Sequence, residues 1–376
     1  MTRTLLILVA VIALISCKKE NPPAPAPTPP TVQEAETFAK QFAGHMSPCN
    51  PVEVDRMIDA DVLVTRTVAN RQISSAQVSQ FRREIRGQMG TMLCAQVGKD
   101  KYTYLRTQMI DGTPRPLFRV HGEVGVNYVQ LELDKTTGQI RVADLYIYMT
   151  GEKMSETFGN LVDTLLGSSS VGTTALKIQR VKSLMGSKDF AGAHGELLSL
   201  PAEIRRSKPI MLMEVQITSD LNDDAQYLKA IDAYAKAFPN DPSLDLVQVD
   251  SAIIRKKFDE AIAIVDRLDK RLGGDPYLDV IRAGTYAENG KQAEALAAAK
   301  KATTAEPTLE TAWWQLLTLQ SSNKHFRGAI TSIETLRDKF SAVTDDDALR
   351  ADARFTDLVA SKEYAAWRAK AAPTPK

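Results

Sequence analysis

The second half of the chain contains an internal repeat of constant period. Three small residues mark the period, because Ala261, Ala295 and Ala329 lie 34 positions apart. The local sequences around them are also alike and read KFDEAI, KQAEAL and HFRGAI. Apolar residues in this region follow the helical period and show no strand pattern. A repeat of this length predicts helical units that bury their apolar faces by stacking, so we expect an all-α array here.

The period and its small residue resemble the tetratricopeptide repeat, in which each unit is a helix, a tight turn and a second helix. Pro307 lies where that repeat has its closing proline. Upstream, Ala230 is interpreted as the equivalent of Ala261, although their spacing is three positions shorter than the period, and Ala193 suggests an earlier unit. The resemblance implies a helical solenoid of four to five units over residues 175–370, closed by terminal capping helices.

In tetratricopeptide arrays, the first helix of each unit lines a concave surface that contacts a partner. The resemblance therefore implies that this chain binds a protein or an extended peptide. The first-helix positions that become candidate partner contacts are Tyr277, Val280, Thr311, Trp314 and Thr318. For Trp314 the alternative is core packing, because adjacent helical residues such as Trp313 and Trp314 cannot both face one way.

The start of the chain, up to Cys17, has the pattern of a secretory signal. One positive charge, Arg3, precedes an apolar run from Leu5 to Ile15 that is too short to span a bilayer comfortably. The run ends in Leu-Ile-Ser-Cys, which resembles the lipobox of bacterial lipoproteins. The resemblance implies that Cys17 is acylated and anchors the chain to a membrane. The alternative is an ordinary signal peptide with an incidental cysteine.

Residues 18–31 form a proline-rich segment between the predicted anchor and the first folded part. Proline fixes the backbone φ angle and lacks an amide hydrogen, so we expect an extended tether. Lys18, directly after the predicted acylated cysteine, resembles the outer-membrane sorting pattern of Gram-negative lipoproteins. The predicted location is the cell envelope, with the chain lipid-anchored, facing the periplasm, and the outer membrane favoured.

Residues 32–168 are predicted to form an α+β domain in which helices precede an antiparallel meander. Thr31 and Glu34 have the spacing of a capping box and place a helix start at residue 32. Apolar periodicity predicts three helices, the first with a buried stripe of Phe38, Phe42 and Met46.

A period-two pattern begins at Lys101 and continues over four strands, with a turn at Asp111-Gly112 after the first strand. Alternation in the last strand predicts an aromatic ridge that includes Tyr146 and Tyr148 on the face away from the helices. This order of elements resembles the NTF2-like and cystatin-like folds.

Two cysteines remain once Cys17 is assigned to the lipid. Cys49 and Cys94 form an even pair, and in an oxidising compartment such a pair predicts a disulfide. The alternative is two buried free thiols. A catalytic cysteine is disfavoured because no histidine lies in a recognisable partnering motif.

Charge and motif content exclude several classes of function. The 47 basic residues nearly balance the 46 acidic ones, so no net field favours a nucleic-acid partner. Three Cys and four His are too few and too scattered for a zinc cluster, and no phosphate-loop or hydrolase motif is present. We therefore expect neither enzymatic activity nor a cofactor.

Two other functions remain open beside partner binding. The α+β domain could hold a small molecule or have weak hydrolytic activity, with the repeats as its adaptor. Its candidate residues are His121, Tyr128, Asp144 and Tyr146. A pocket containing Tyr128 or Asp144 would favour this alternative, whereas a filled apolar cone would oppose it. The other possibility is a purely structural spacer.

Overall fold

The computed structural model describes residues 28–371 except 99, 123, 124, 137, 168–170 and 343. The chain divides into two compact units, Met1–Val247 and Gln248–Lys376. The predicted signal segment, Cys17 and most of the predicted tether lie outside the described residues.

In the described part of the first unit, five helices precede the sheet, where the sequence predicts three. They are α1 (Val32–Met46), α2 (Pro51–Met57), α3 (Ala60–Val68), α4 (Ser75–Ile85) and α5 (Met89–Val97). The two helices missed by the prediction are α3 and α5, each of nine residues. Such a length covers only about two and a half turns, over which apolar periodicity is a weak signal.

The sheet is an antiparallel meander whose strands pair in sequence order. The strands are β1 (Lys101–Ile110), β2 (Thr113–Gly122), β3 (Gly125–Asp134), β4 (Arg141–Ile147) and β5 (Glu152–Lys153). The predicted turn between β1 and β2 is confirmed, since Asp111 and Gly112 have φ angles of 49° and 74°, as a type I′ hairpin requires. The predicted α+β class is confirmed, and the two-residue β5 is an addition to the four expected strands.

Helix α1 begins where the capping box predicts it. The Thr31 hydroxyl accepts a bond from the Glu34 amide at 3.3 Å, and the Glu34 carboxylate accepts one from the Thr31 amide at 2.7 Å. The predicted apolar stripe of Phe38, Phe42 and Met46 is buried in the core between helices and sheet. One sheet face is thus covered by helices.

The rest of the chain is helical, as predicted. In the first unit lie α6 (Met154–Gly167), α7 (Val171–Gly186), α8 (Phe190–Leu198), α9 (Ala202–Arg205), α10 (Lys208–Asp220) and α11 (Asp224–Ala237). Helix α12 (Leu244–Ile254) crosses the boundary between the units. The second unit continues with α13 (Phe258–Leu272), α14 (Pro276–Glu288), α15 (Gln292–Ala305), α16 (Glu310–Ser322) and α17 (Phe326–Phe340). Its end comprises α18 (Asp346–Ala351), a 3-10 turn (Ala353–Phe355), α19 (Thr356–Val359) and α20 (Lys362–Ala371).

The helix–turn–helix period is more regular in the backbone than in the sequence. Five helices, α8, α11, α13, α15 and α17, begin at one constant interval, which equals the period of the three alanines, and the helices that precede their turns end at the same interval. Each turn contains one residue at positive φ, again at this interval, at Lys188, Asn222, Lys256, Gly290 and Lys324. The turn and the two helix ends that flank it therefore recur in all five copies, whereas the lengths of the helices and of the connections between pairs vary.

This regularity corrects one predicted equivalence. Ala261, Ala295 and Ala329 each occupy the fourth position of their helix and are fully buried. The fourth position of α11 is Tyr227, so the interpretation of Ala230 as the equivalent residue was wrong. Ala230 matches the small residue of the repeat pattern, but it lies three positions further along α11 than the equivalent position.

Candidate functional site

The predicted partner contacts lie on two first helices of the second unit. Tyr277 and Val280 are on α14, and Thr311, Trp314 and Thr318 are on α16. Spacings of three and four positions place the three α16 residues on one helical face. Helices α14 and α16 contact each other, so the two sets belong to neighbouring surfaces of one unit.

One of these residues differs from the others in exposure. Tyr277, Thr311, Trp314 and Thr318 are half-buried. Val280 is only 9% exposed and belongs to an apolar cluster with Ala302, Leu309 and Ala312, against which Tyr277 packs. Val280 therefore offers little surface to a partner, because residues from the end of α15 to the start of α16 cover it.

Trp314 combines packing with a polar contact. Its ring packs partly against the core at the end of the unit, as does that of Trp313. Its indole N–H donates to the Glu310 carboxylate at 3.2 Å, while the Trp313 N–H donates to the Pro307 carbonyl at 3.1 Å. Both adjacent tryptophans are half-buried, so packing and partner contact are both compatible with the position of Trp314.

The surface that α14 and α16 share is aromatic and polar without formal charge at its candidate positions. Gly284 lies one turn after Val280 on α14, and a Cβ atom built there would be 3.9 Å from the Gln315 amide nitrogen. Together with Tyr277, Trp314 and the two threonines, these groups provide ring faces and neutral hydrogen-bonding groups. Such a surface suits a peptide backbone better than a highly charged ligand.

A charge network around the largely buried Arg282 fixes the helices that carry this surface. Arg282 on α14 bonds to Asp266 at 2.7 Å and Asp269 at 2.9 Å on α13, and to Asp279 at 2.8 Å on its own helix. Lys301 on α15 pairs with Asp279 at 3.0 Å. Burial alone would lower the pKa of Arg282, but the bonds to the aspartates raise it above its usual value. The network thus joins three successive helices.

The four candidate residues of the α+β domain share the sheet face opposite helix α1. Tyr128 and Asp144 are fully buried, whereas His121 and Tyr146 are half-buried. The rings of Tyr128 and Tyr146 both contact Tyr148, so the predicted aromatic ridge is present. These residues lie on one face because strand residues alternate between the two sides of a sheet.

Two buried carboxylates on this face have different environments. Glu132 lies 3.0 Å from Arg66, 2.9 Å from Arg115 and 3.0 Å from Lys153. Burial raises the pKa of Glu132, but these three cations together hold it below its usual value. The cluster of Glu132 and its three cations is not apparent from the sequence, because Arg66 lies on the unpredicted helix α3.

Asp144 is bonded mainly to neutral groups. Its carboxylate accepts bonds from the Ser155 hydroxyl at 2.6 Å, the Ser155 amide at 3.2 Å and the Leu145 amide at 2.9 Å. Burial raises the pKa of Asp144, and these bonds offset the effect only in part. Asp144 therefore connects β4 to the first turn of α6, and this full set of bonds indicates a structural role.

A pocket lies on the other, helix-covered face of the sheet. Its volume is about 190 Å³, and its lining is mostly apolar. The lining residues are Met46, Leu93, Gln96, Val97, Asp100, Tyr102, Val120, Gly125, Val126, Asn127, Val129, Leu145, Ile147 and Met149. Neither Tyr128 nor Asp144 is among them, so the structure does not bring the predicted residues to this pocket.

The predicted disulfide between Cys49 and Cys94 is confirmed. The two Cα atoms are 5.5 Å apart, and the bond joins the short connection before α2 to helix α5. Gly90 on α5 allows close approach, because a Cβ atom there would lie 1.8 Å from the Pro51 carbonyl oxygen. Two residues of the pocket wall, Met46 and Leu93, are close in sequence to the bridged cysteines.

Comparison of the chain with protein-family models, with curated proteins and with solved structures finds no match in any of the three. Across the described ranges, no group of three or more His, Cys, Asp or Glu side chains is arranged to hold a metal ion. None of the helices in that part of the chain has the length and apolar content that crossing a bilayer requires.

Proposed function

We propose that this protein is a lipid-anchored lipoprotein of the cell envelope that binds another protein or an extended peptide through tetratricopeptide-like repeats. Cys17 carries the lipid, residues 18–31 form the tether, and residues 175–370 form the repeat domain. The partner contacts lie on α14 and α16, at Tyr277, Thr311, Trp314 and Thr318.

The constant spacing of five helix pairs is the observation that carries this proposal. A period maintained in helix starts, helix ends and turn geometry is typical of repeat arrays, whose units stack and expose extended surfaces. The surface shared by α14 and α16 adds half-buried aromatic groups, which are enriched at protein interfaces. The network around Arg282 supports the same function, because it holds that surface in one geometry.

Site-specific photo-crosslinking tests the partner surface. A benzoyl-phenylalanine introduced at Thr318, in cells that express the full chain, should form an adduct with a discrete partner. The same group at Lys300, an exposed residue of the second helix α15, serves as the matched control. Adding Trp314→Ala to the Thr318 variant should reduce the adduct several-fold while the circular dichroism spectrum is retained.

Equal adducts from Thr318 and Lys300, or no adduct from either, would contradict the proposed surface. The alternative of a small-molecule or hydrolytic site built from Tyr128 or Asp144 gains no support from the apolar pocket described above, because neither residue lines it. The opposite sheet face offers a different site.

A further inference from the structure

The apolar pocket in the first unit is lined by a tyrosine whose hydroxyl has no partner among the described residues. Tyr102 lines the pocket and is 5% exposed. Its ring packs against Phe42 and Phe118, at centroid distances of 5.9 and 5.0 Å, and its backbone amide donates to the Ser47 hydroxyl at 2.9 Å. Among the described residues, its side-chain hydroxyl has no acceptor. Because no group in the described part of the protein accepts from this hydroxyl, water or a ligand in the pocket has to supply the acceptor.

The hydroxyl remains a donor at every physiological pH. Burial raises the pKa of Tyr102 well above its usual range, so the phenol stays protonated. A ligand that occupies the pocket and carries an acceptor would satisfy the hydroxyl. The geometry therefore provides an apolar volume lined by a tyrosine hydroxyl donor.

The remaining lining defines the charge that the ligand can have. The residues that line the pocket include one carboxylate, Asp100, and no Lys, Arg or His within the described chain. An anionic head group would thus meet a carboxylate and no cation among the described lining residues. Asn127 accepts bonds from the amides of Tyr128 and Met149 through its side-chain oxygen, which leaves its NH₂ group as a further neutral donor.

We propose that this pocket binds a compact, uncharged apolar molecule that carries one hydrogen-bond acceptor, with the Tyr102 hydroxyl as the donor. Its volume of about 190 Å³ corresponds to one aromatic ring or short alkyl group, since an apolar cavity of about 150 Å³ holds a benzene molecule. This site is separate from the proposed partner surface and does not depend on it.

A matched pair of probes tests the proposal on the full chain. Acetophenone has the required carbonyl acceptor, and ethylbenzene has nearly the same shape without it. Isothermal titration calorimetry should give measurable affinity for both probes with the wild type. The Tyr102→Phe variant retains the ring packing and should weaken acetophenone roughly fivefold, because one hydrogen bond contributes about 1 kcal/mol. Ethylbenzene should bind this variant as tightly as the wild type, or more tightly.

A pocket-filling variant locates the binding. Val120→Trp, at a half-buried lining residue on the helix-covered face, should abolish binding of both probes while the protein still melts cooperatively. Probe binding that survives this change would place the site elsewhere and overturn the proposal. The absence of binding to the wild type, or equal effects of Tyr102→Phe on the two probes, would also overturn it.

Discussion

The two buried carboxylates on the sheet are expected to contribute to stability with opposite dependence on pH. Glu132 has a folded-state pKa below its usual value because three cations surround it. Asp144 has a raised pKa because burial outweighs its bonds to Ser155. A group with a lowered pKa stabilises the fold above its unfolded pKa, and that contribution disappears as pH falls through the folded value. A group with a raised pKa has the opposite effect.

We predict that Glu132→Gln destabilises the first unit at pH 7 by about 3 kcal/mol, since it leaves buried cations without their carboxylate. Between pH 7 and about 3.5, its free energy of unfolding should fall less steeply than that of the wild type. Asp144→Asn should make the fall steeper, because it removes the group whose protonation favours the folded state. Denaturation monitored by amide hydrogen exchange of β3 measures how the free energy of unfolding changes with pH in the wild type and in the two variants. Parallel dependence on pH in all three proteins would contradict the assigned directions of the two pKa shifts.

The residues at positive φ in the periodic turns are also expected to affect stability. Four of the five turns place a non-glycine residue at positive φ, and only the turn at Gly290 has glycine there. A left-handed conformation costs an L-residue about 1 kcal/mol or more, whereas glycine adopts it without a Cβ clash.

We therefore predict that Lys324→Gly stabilises the second unit by about 1 kcal/mol and that Gly290→Ala destabilises it by a similar amount. No atom lies within 4 Å of a Cβ built at Gly290, so the cost there is conformational. All three tryptophans, Trp313, Trp314 and Trp367, lie in this unit, so tryptophan fluorescence during urea denaturation reports its stability. Lys324→Ala is the control and should be nearly neutral, and equal effects of Ala and Gly at position 324 would contradict the reasoning.

At the scale of elements, the network around Arg282 should contribute more to the stability of the second unit than an exposed ion pair does. Arg282→Met removes the common partner of three aspartates, one of them buried, and should cost the second unit about 3 kcal/mol. Lys291→Met breaks only an exposed pair with Asp259 and should cost less than about 1 kcal/mol. The tryptophan-fluorescence transition compares the two variants directly. Similar losses for both would show that burial does not distinguish these ion pairs.

The disulfide should stabilise the short helices of the first unit. It closes a loop with a sequence separation of 45, which corresponds to about 4 kcal/mol in the chain-entropy description. We predict that the Cys49→Ala/Cys94→Ala variant loses about this stability and becomes insensitive to dithiothreitol, whereas the wild type loses it on reduction. Hydrogen exchange in α2 and α5 is the measurement. Unchanged protection in the double variant would contradict a stabilising role.

The fold was predictable where a local rule determines the structure. Thr31 and Glu34 fixed the start of α1, and the Asp111-Gly112 pair fixed the first hairpin, because each depends only on neighbouring residues. The face of Asp144 was also implied by strand alternation, but its environment depends on Ser155 and on burial, which one sequence does not reveal.

The candidate sites were less predictable, because they depend on contacts between distant elements. Val280 is buried by residues from the end of α15 to the start of α16, and the Tyr102 pocket is formed by α1, α5 and four strands, β1 to β4, together with residues between elements. The predicted equivalence of Ala230 and Ala261 was also wrong, and the equivalent residue is Tyr227. A small residue was expected at that position, whereas the backbone period is preserved without one.

At the scale of the whole molecule, the chain enters the first unit at the turn between β3 and β4. The Thr28 amide donates to the Asp134 carboxylate at 2.9 Å, and the Thr28 carbonyl accepts from the Lys135 amide at 2.9 Å. Thr28 lies eleven positions after Cys17, which limits the distance between them to about 40 Å even for a fully extended chain. A lipid on Cys17 would therefore keep this end of the sheet near the membrane surface.

The anchor itself yields the last prediction. If Cys17 is acylated, Cys17→Ser should move the protein from the membrane fraction to the soluble fraction and abolish labelling by an alkyne-bearing palmitate analogue. Several acyl chains, at about 0.8 kcal/mol for each buried methylene, hold a protein firmly, so the loss should be nearly complete. The Cys49→Ala/Cys94→Ala variant is the control and should keep both label and membrane attachment. An ordinary signal peptide with an incidental cysteine gives the opposite outcome, since Cys17→Ser would then change neither fractionation nor labelling.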